Sequence, residues 1–130
     1  MVADGTGLPI AKHLSSARPA EVTLAEAPLE ELIPGSLKRL IADRAYDSDK
    51  LRASLAARGI ELICPHRRGR KRPASQDGRK LRRYRRRWKI ERLFAWLQNY
   101  RRIQTRYERH IHIYQAFVHV AFIMLLLKRF

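Results

Sequence analysis

A chain of 130 residues has room for one modest core, burying roughly two-thirds of its unfolded surface. Its 28 Lys and Arg against 12 Asp and Glu give a net charge of +16, which argues against an enzyme of acidic substrates and points to a polyanionic partner, nucleic acid first. A single cysteine, Cys64, excludes a disulfide framework, and with no signal-peptide pattern at the start a reducing cytoplasm is expected. In chain order, MVADGTGLPIAKHLSS holds two extended runs around Asp4-Gly5-Thr6-Gly7, a hairpin with Asp4 as a turn residue. VTLAEAPLEEL has helical spacing but is interrupted by Pro28, giving one kinked helix or two short pieces. KRLIAD reads as a buried strand, DSDKLRASLAARG as a helix with Leu51 and Leu55 on one face and Gly59 as its stop, and IELICPH as another strand. Alternating strands and helices predict an α/β domain over residues 1–130 with a mixed sheet, whose strand ends are places for functional acids.

The charge is concentrated. Residues 66–92 hold fourteen of the 28 basic residues against two acids, Asp77 and Glu91, so that +12 of the +16 lies there. Within that segment, residues 67–79 (RRGRKRPASQDGR) are too polar and too rich in turn residues to join a core and are expected as an exposed loop. From Lys80 to about Arg102 the spacing turns helical, and a last helix is predicted from about His112 to Phe130. The 17 residues IHIYQAFVHVAFIMLLL carry two His, a Gln and a Tyr, short and wet for a membrane span, so they are assigned to a core helix. On an ideal helix Tyr84, Trp88, Glu91, Ala95 and Gln98 share one line with Arg87 beside it, while Ile90, Leu93, Leu97 and Tyr100 form the opposite, core-facing stripe. Spacing alone allows Glu91 simply to pair with Arg87 four residues earlier.

ADRAY followed by Y-x2-R-x3-E resembles the end of a DDE-type insertion-sequence transposase, and IADRAYDSD, GIELICPHRR and ERLFAWLQNYRR extend the likeness over nearly the whole chain. The resemblance implies an RNase H-like catalytic fold, with the family's second catalytic Asp at Asp43 and its Glu at Glu91, beside the signature residues Tyr84 and Arg87. The signature's Lys falls on Gln98, so Arg101 or Arg102 would replace its contact to the transposon end. The family's first catalytic Asp would lie ahead of DGTGLPIAKHLSSA, which implies that this is the C-terminal part of a transposase, inactive alone and needing an upstream part.

The chemistry implied is cleavage and rejoining of phosphodiesters at insertion-sequence ends and target DNA. Two hard divalent ions, Mg²⁺ or Mn²⁺, roughly 3.5–4 Å apart would be held by carboxylates, with Asp43 and Glu91 as two of three. Arg67, Arg68, Arg70, Lys71 and Arg72 would neutralise DNA phosphates, and the signature residues Tyr84 and Arg87 would also bind DNA. A homodimer on DNA would be consistent with this, and no membrane is involved. Asp47 and Asp49 are expected to cap the helix that follows them, His66 to meet phosphate or solvent, His110 and His112 to bind no zinc, and Cys64 to fill core. Trp96 is expected toward the core and Trp88 toward packing or a base. The alternative is a non-catalytic basic nucleic-acid-binding protein whose acids only cap and pair.

Overall fold

In this computed structural model the described residues are 1–15, 21–71, 73–74 and 76–128. The elements in chain order are β1 (Val2–Ala3), β2 (Pro9–Ala11), a 3-10 turn (Glu21–Leu24), α1 (Ala27–Glu30), β3 (Arg39–Ile41), a 3-10 turn (Arg44–Tyr46), α2 (Asp49–Ala57) and β4 (Glu61–Ile63). They continue with α3 (Gly78–Leu81), a 3-10 segment (Arg82–Arg87), α4 (Trp88–Gln98), α5 (Arg101–Gln104) and α6 (Ile111–Leu127). Helices and strands alternate as an α/β chain should, but the described strands form two separate pairs, antiparallel β1–β2 and parallel β3–β4, where a single mixed sheet was expected. The contacts divide the chain into two compact units, Met1–Leu14 with Trp88–Phe130, and Ser15–Arg87.

In the first unit the hairpin is built by Asp4. Its Oδ1 accepts from the Thr6 hydroxyl and from the amides of Thr6, Gly7 and Leu8, so one side chain closes the whole turn. The predicted hairpin and the turn role of Asp4 are both seen. Lys89 and Arg92 of α4 donate to the Gly5 and Thr6 carbonyls and fasten the turn to the helix. The core stripe is as expected: Leu93 and Leu97 are buried against Ala121 and Leu125 of α6, with Ile90, Trp96 and Tyr100 packed around them. The predicted core helix α6 is only half covered. Val118, Ala121 and Leu125 are buried, while Ile113, Phe117, Val120, Met124 and Leu127, spaced four and three residues apart, remain exposed. The helix is apolar all round, so its pattern named a core without saying which side has a neighbour. It starts at Ile111; positions 129 and 130 of its predicted end lie outside the described residues.

In the second unit β3 and β4 pair in register, Arg39 with Glu61, Leu40 with Leu62 and Ile41 with Ile63, and α2 makes the crossover that a parallel pair requires. Leu51 and Leu55 of α2 are buried with Ile60, Leu62 and Ile63. Ser48 caps α2 by accepting from the Leu51 amide. At the other end Gly59 turns the chain at φ +72°, and the Ile60 amide returns to the Leu55 carbonyl. β4 is buried as expected, but β3, expected buried, has an exposed Arg39 and half-covered Leu40 and Ile41. VTLAEAPLEEL forms two short pieces, with Pro28 in the first turn of the second, where its missing N–H costs nothing.

Candidate functional site

Two residues beyond β3 stands Asp43, at the N-terminal cap of the 3-10 turn Arg44–Tyr46. Its Oδ1 accepts from the Arg44 amide at 2.6 Å and from the Tyr84 hydroxyl at 3.0 Å. The Arg87 guanidinium lies 2.9 Å from its Oδ2, and the same Nη1 donates to the Tyr84 hydroxyl at 3.1 Å. Asp43, Tyr84 and Arg87 therefore close a triangle between residues 41 and 44 positions apart in sequence, all inside the second unit.

Tyr84 and Arg87 reach Asp43 together because of the local helix type. The expected single helix from Lys80 to Arg102 is broken: α3 covers Gly78–Leu81, residues 82–87 wind as a 3-10 helix, and α4 begins at Trp88. With three residues per turn, positions i and i+3 eclipse, which brings the Arg87 guanidinium over the Tyr84 ring, 5.6 Å from its centre. The physical reason for the break is the run RRYRRR, whose side chains are exposed or half-exposed and bury nothing that would hold a 3.6-residue period. The single line from Tyr84 through Gln98 is consequently not formed. Trp88 and Glu91 belong to α4, in the other unit, where Glu91 is exposed in the first turn.

The triangle keeps Asp43 charged. The Arg44 amide is the largest influence lowering its pKa; burial opposes it as the next largest, and Tyr84 and Arg87 add smaller lowering contributions that leave the carboxyl below its ordinary range. Burial and the bond to the Asp43 carboxylate raise the Tyr84 phenol, which stays a donor. The Asp43 side chain is 49% exposed, and its Oδ2 carries one of the two partners that its lone pairs accept. An ionised, accessible, hard oxygen is what Mg²⁺ or Mn²⁺ takes, so the residue fits such an ion as one ligand. Among the described residues no group of three or more His, Cys, Asp or Glu side chains is gathered to hold a metal.

Asp47 is a correction. It does not cap α2, a role that falls to Ser48; its side chain is 1% exposed and takes Arg52 at 3.3 Å, Arg70 at 2.9 Å and the Arg67 amide at 3.0 Å, with His66 Nδ1 at 3.5 Å. Burial works against its charge, and the Arg67 amide, Arg70 and Arg52 outweigh it, holding the carboxyl below its ordinary range. Asp49 does lie in the first turn of α2 and pairs with Arg70 at 2.6 Å. His66, expected on phosphate or solvent, leans on Asp47. The partners of Asp47 lie up to 23 residues downstream, which helix-start chemistry could not reveal; the only sequence signal was CPHRRGR directly after a strand.

Among the predicted DNA contacts, Arg67, Arg68 and Lys71 are exposed, Arg70 is engaged by two carboxylates, and Arg72 lies outside the described residues. Gln76, through bonds to the Cys64 amide and the Leu62 carbonyl, ties the far part of the loop back to β4. On α5, Arg101 is exposed, whereas Arg102 pairs with Glu108 at 2.9 Å and lies over the rings of Tyr107 and Phe117. Cys64 is buried, as expected. Arg92 is stacked between Trp88 and Trp96, 4.6 Å from each ring centre; Trp88 is half-exposed and Trp96 packs on the core. The His110 and His112 rings stack on each other, 5.4 Å apart. No helix among the described residues is long and apolar enough to cross a membrane.

The family described as "Transposase DDE domain" matches residues 1–127. A Burkholderia cepacia protein named "Putative transposase for insertion sequence element IS402" is 37% identical over 127 residues, which take in 91% of this chain and 56% of that protein. The chain therefore spans little more than half the length of that relative. No solved structure matches it.

Proposed function

Because the chain belongs to the transposase DDE-domain family, we propose that it works in DNA transposition, as part of an RNase H-like domain that cleaves phosphodiesters at insertion-sequence ends and joins them to target DNA. The observation that carries the reading is Asp43: a half-exposed carboxylate held below its ordinary pKa by the Arg44 amide first, and bonded by the Tyr84 and Arg87 of the family's own signature. Tyr84 and Arg87 fix the rotamer of Asp43, so its oxygens are oriented before any ligand arrives. Glu91 is the second acid, exposed in the first turn of an 11-residue helix. Asp43 and Glu91 would hold Mg²⁺ or Mn²⁺, which when bound activates the attacking oxygen and stabilises the leaving one. The exposed Arg67, Arg68 and Lys71 serve the DNA, supplying charge against phosphates without ligating metal. A third carboxylate comes from an upstream part of the transposase, and Asp4, whose Oδ1 already takes four donors of its own turn, is assigned to that turn.

The test is Mn²⁺ binding to the chain, followed by relaxation enhancement of water protons. Asp43→Asn and Glu91→Gln should each weaken it about tenfold or more, the loss of one ligand in a shared site. Binding indifferent to both substitutions would leave a non-catalytic basic DNA-binding protein as the better description.

A further inference from the structure

The segment leaving β4 is a folded turn as well as a basic run. The Arg70 amide donates to the Arg67 carbonyl at 3.4 Å, and Gly69 sits at φ +80°, so Arg67-Arg68-Gly69-Arg70 closes as a β-turn with glycine at the third position, where a positive φ is required. Asp47 holds this turn by both ends. Its Oδ2 accepts from the amide of Arg67, the first residue, and its Oδ1 takes the guanidinium of Arg70, the last. Arg70 also bridges to Asp49, which fixes the angle of its guanidinium, and His66, one residue before the turn, lies against the same Asp47 oxygen that holds the Arg67 amide. The two residues of the turn whose side chains point to neither carboxylate, Arg67 and Arg68, are exposed.

We propose that Asp47 is a positioning residue for DNA binding, clasping the Arg67–Arg70 turn so that Arg70 serves as an internal strut and Arg67 and Arg68 are presented to backbone phosphates. The inference rests on the reading of the chain as a DNA-binding transposase part and assigns unequal roles within a basic run that composition treats as uniform. A flexible run would have to be ordered when DNA binds; a turn held from inside the protein is ordered beforehand, which removes that entropic cost. The buried carboxylate makes the clasp specific. Near phosphates a negative charge by itself weakens binding, so the electrostatic and positioning effects of Asp47 have opposite signs.

That opposition gives the experiment. Binding of the 130-residue chain to a duplex of about 30 base pairs is measured by fluorescence anisotropy across a KCl series; each lost phosphate contact reduces the log–log salt slope by about 0.9. Arg68→Ala should reduce the slope by about that one contact. Asp47→Asn, which removes a negative charge, is expected to weaken binding about tenfold and to flatten the slope by one to two contacts. The double variant should lose little beyond Asp47→Asn alone, because Arg68 acts through the clasp. Arg70→Lys keeps the charge but loses the bridge to two carboxylates, and should weaken binding in the same direction. Equal or tighter binding by Asp47→Asn with native circular dichroism overturns the clasp. If Asp47→Asn does not fold, Arg70→Lys decides, and unchanged affinity there overturns it equally. A wild-type chain with no salt-dependent DNA binding would instead overturn the functional reading beneath it.

Discussion

Asp4, Asp43 and Asp47 are three carboxylates held ionised by three different sets of donors: a local turn, the Arg44 amide with a tyrosine–arginine pair, and a cage of arginines with an amide. For Asp4, burial raises the pKa, and the Thr6 hydroxyl with the Leu8, Thr6 and Gly7 amides more than reverse it. All three pKa values lie below the ordinary 3.8. A depressed folded-state pKa means that these groups contribute stability in full above the unfolded value, and that the contribution drains as pH falls through the lowered one. Urea unfolding between about pH 5 and pH 3 should show that loss, and Asp47→Asn should flatten it. Tyr84→Phe should return the Asp43 carboxyl toward its ordinary value, seen in a carboxyl NMR titration, with little change in stability because Asp43 is half-exposed and water screens the pair. Asp4→Ala, which leaves three amides and a hydroxyl of the turn without their acceptor, should cost about 1 kcal/mol in thermal unfolding. Of these roles only the turn at Asp4 was legible in sequence, since its partners are two to four residues away. Asp43 was reached through the resemblance, and Asp47 was misread because an acid before a helix has a local explanation that hides a distant one.

At the scale of elements, legibility followed the range of the forces. The hairpin, α2 and β4 were foreseen because Asp-Gly, a polar helix start, a Gly stop and a short apolar run are all short-range signals. Gly59→Ala tests one of them: a Cβ there meets nothing within 4 Å, so the cost is backbone strain alone at φ +72°. A loss of about 1 kcal/mol in stability, without change in the folded circular dichroism, is expected. The segment from Lys80 to Arg102 was not foreseen in detail. Its apolar stripe from Ile90 onward gave α4 correctly, but upstream of Trp88 the period had only arginines to act on, and a 3-10 winding took the place of a continued α-helix. That difference in pitch is what places Tyr84 and Arg87 on the same carboxylate. Pro at position 85 would remove a backbone donor from this segment without touching either side chain; Arg85→Pro should loosen the Asp43 triangle, read as a rise of the Asp43 pKa toward its ordinary value.

For the molecule as a whole, the two facts visible at the start, a charge of +16 and a 17-residue apolar stretch, proved to lie on separate elements. α6 contains no Asp, Glu, Lys or Arg from Ile111 to Leu127, and its exposed stripe lies outside the buried cluster of Leu93, Leu97, Ala121 and Leu125. The chain should therefore bind an apolar fluorescent dye while folded, and Val120→Lys with Ile123→Glu should lower the signal and leave the unfolding midpoint within about 0.5 kcal/mol of wild type. The same helix sets how the protein behaves as a colloid. In dilute buffer like-charged molecules repel and the stripe is kept from meeting another; added salt shortens that repulsion to about 10 Å at 0.1 M and leaves apolar attraction untouched. For this protein salt is a precipitant before it is a solubiliser, and light scattering should rise with KCl where an ordinary basic domain stays clear.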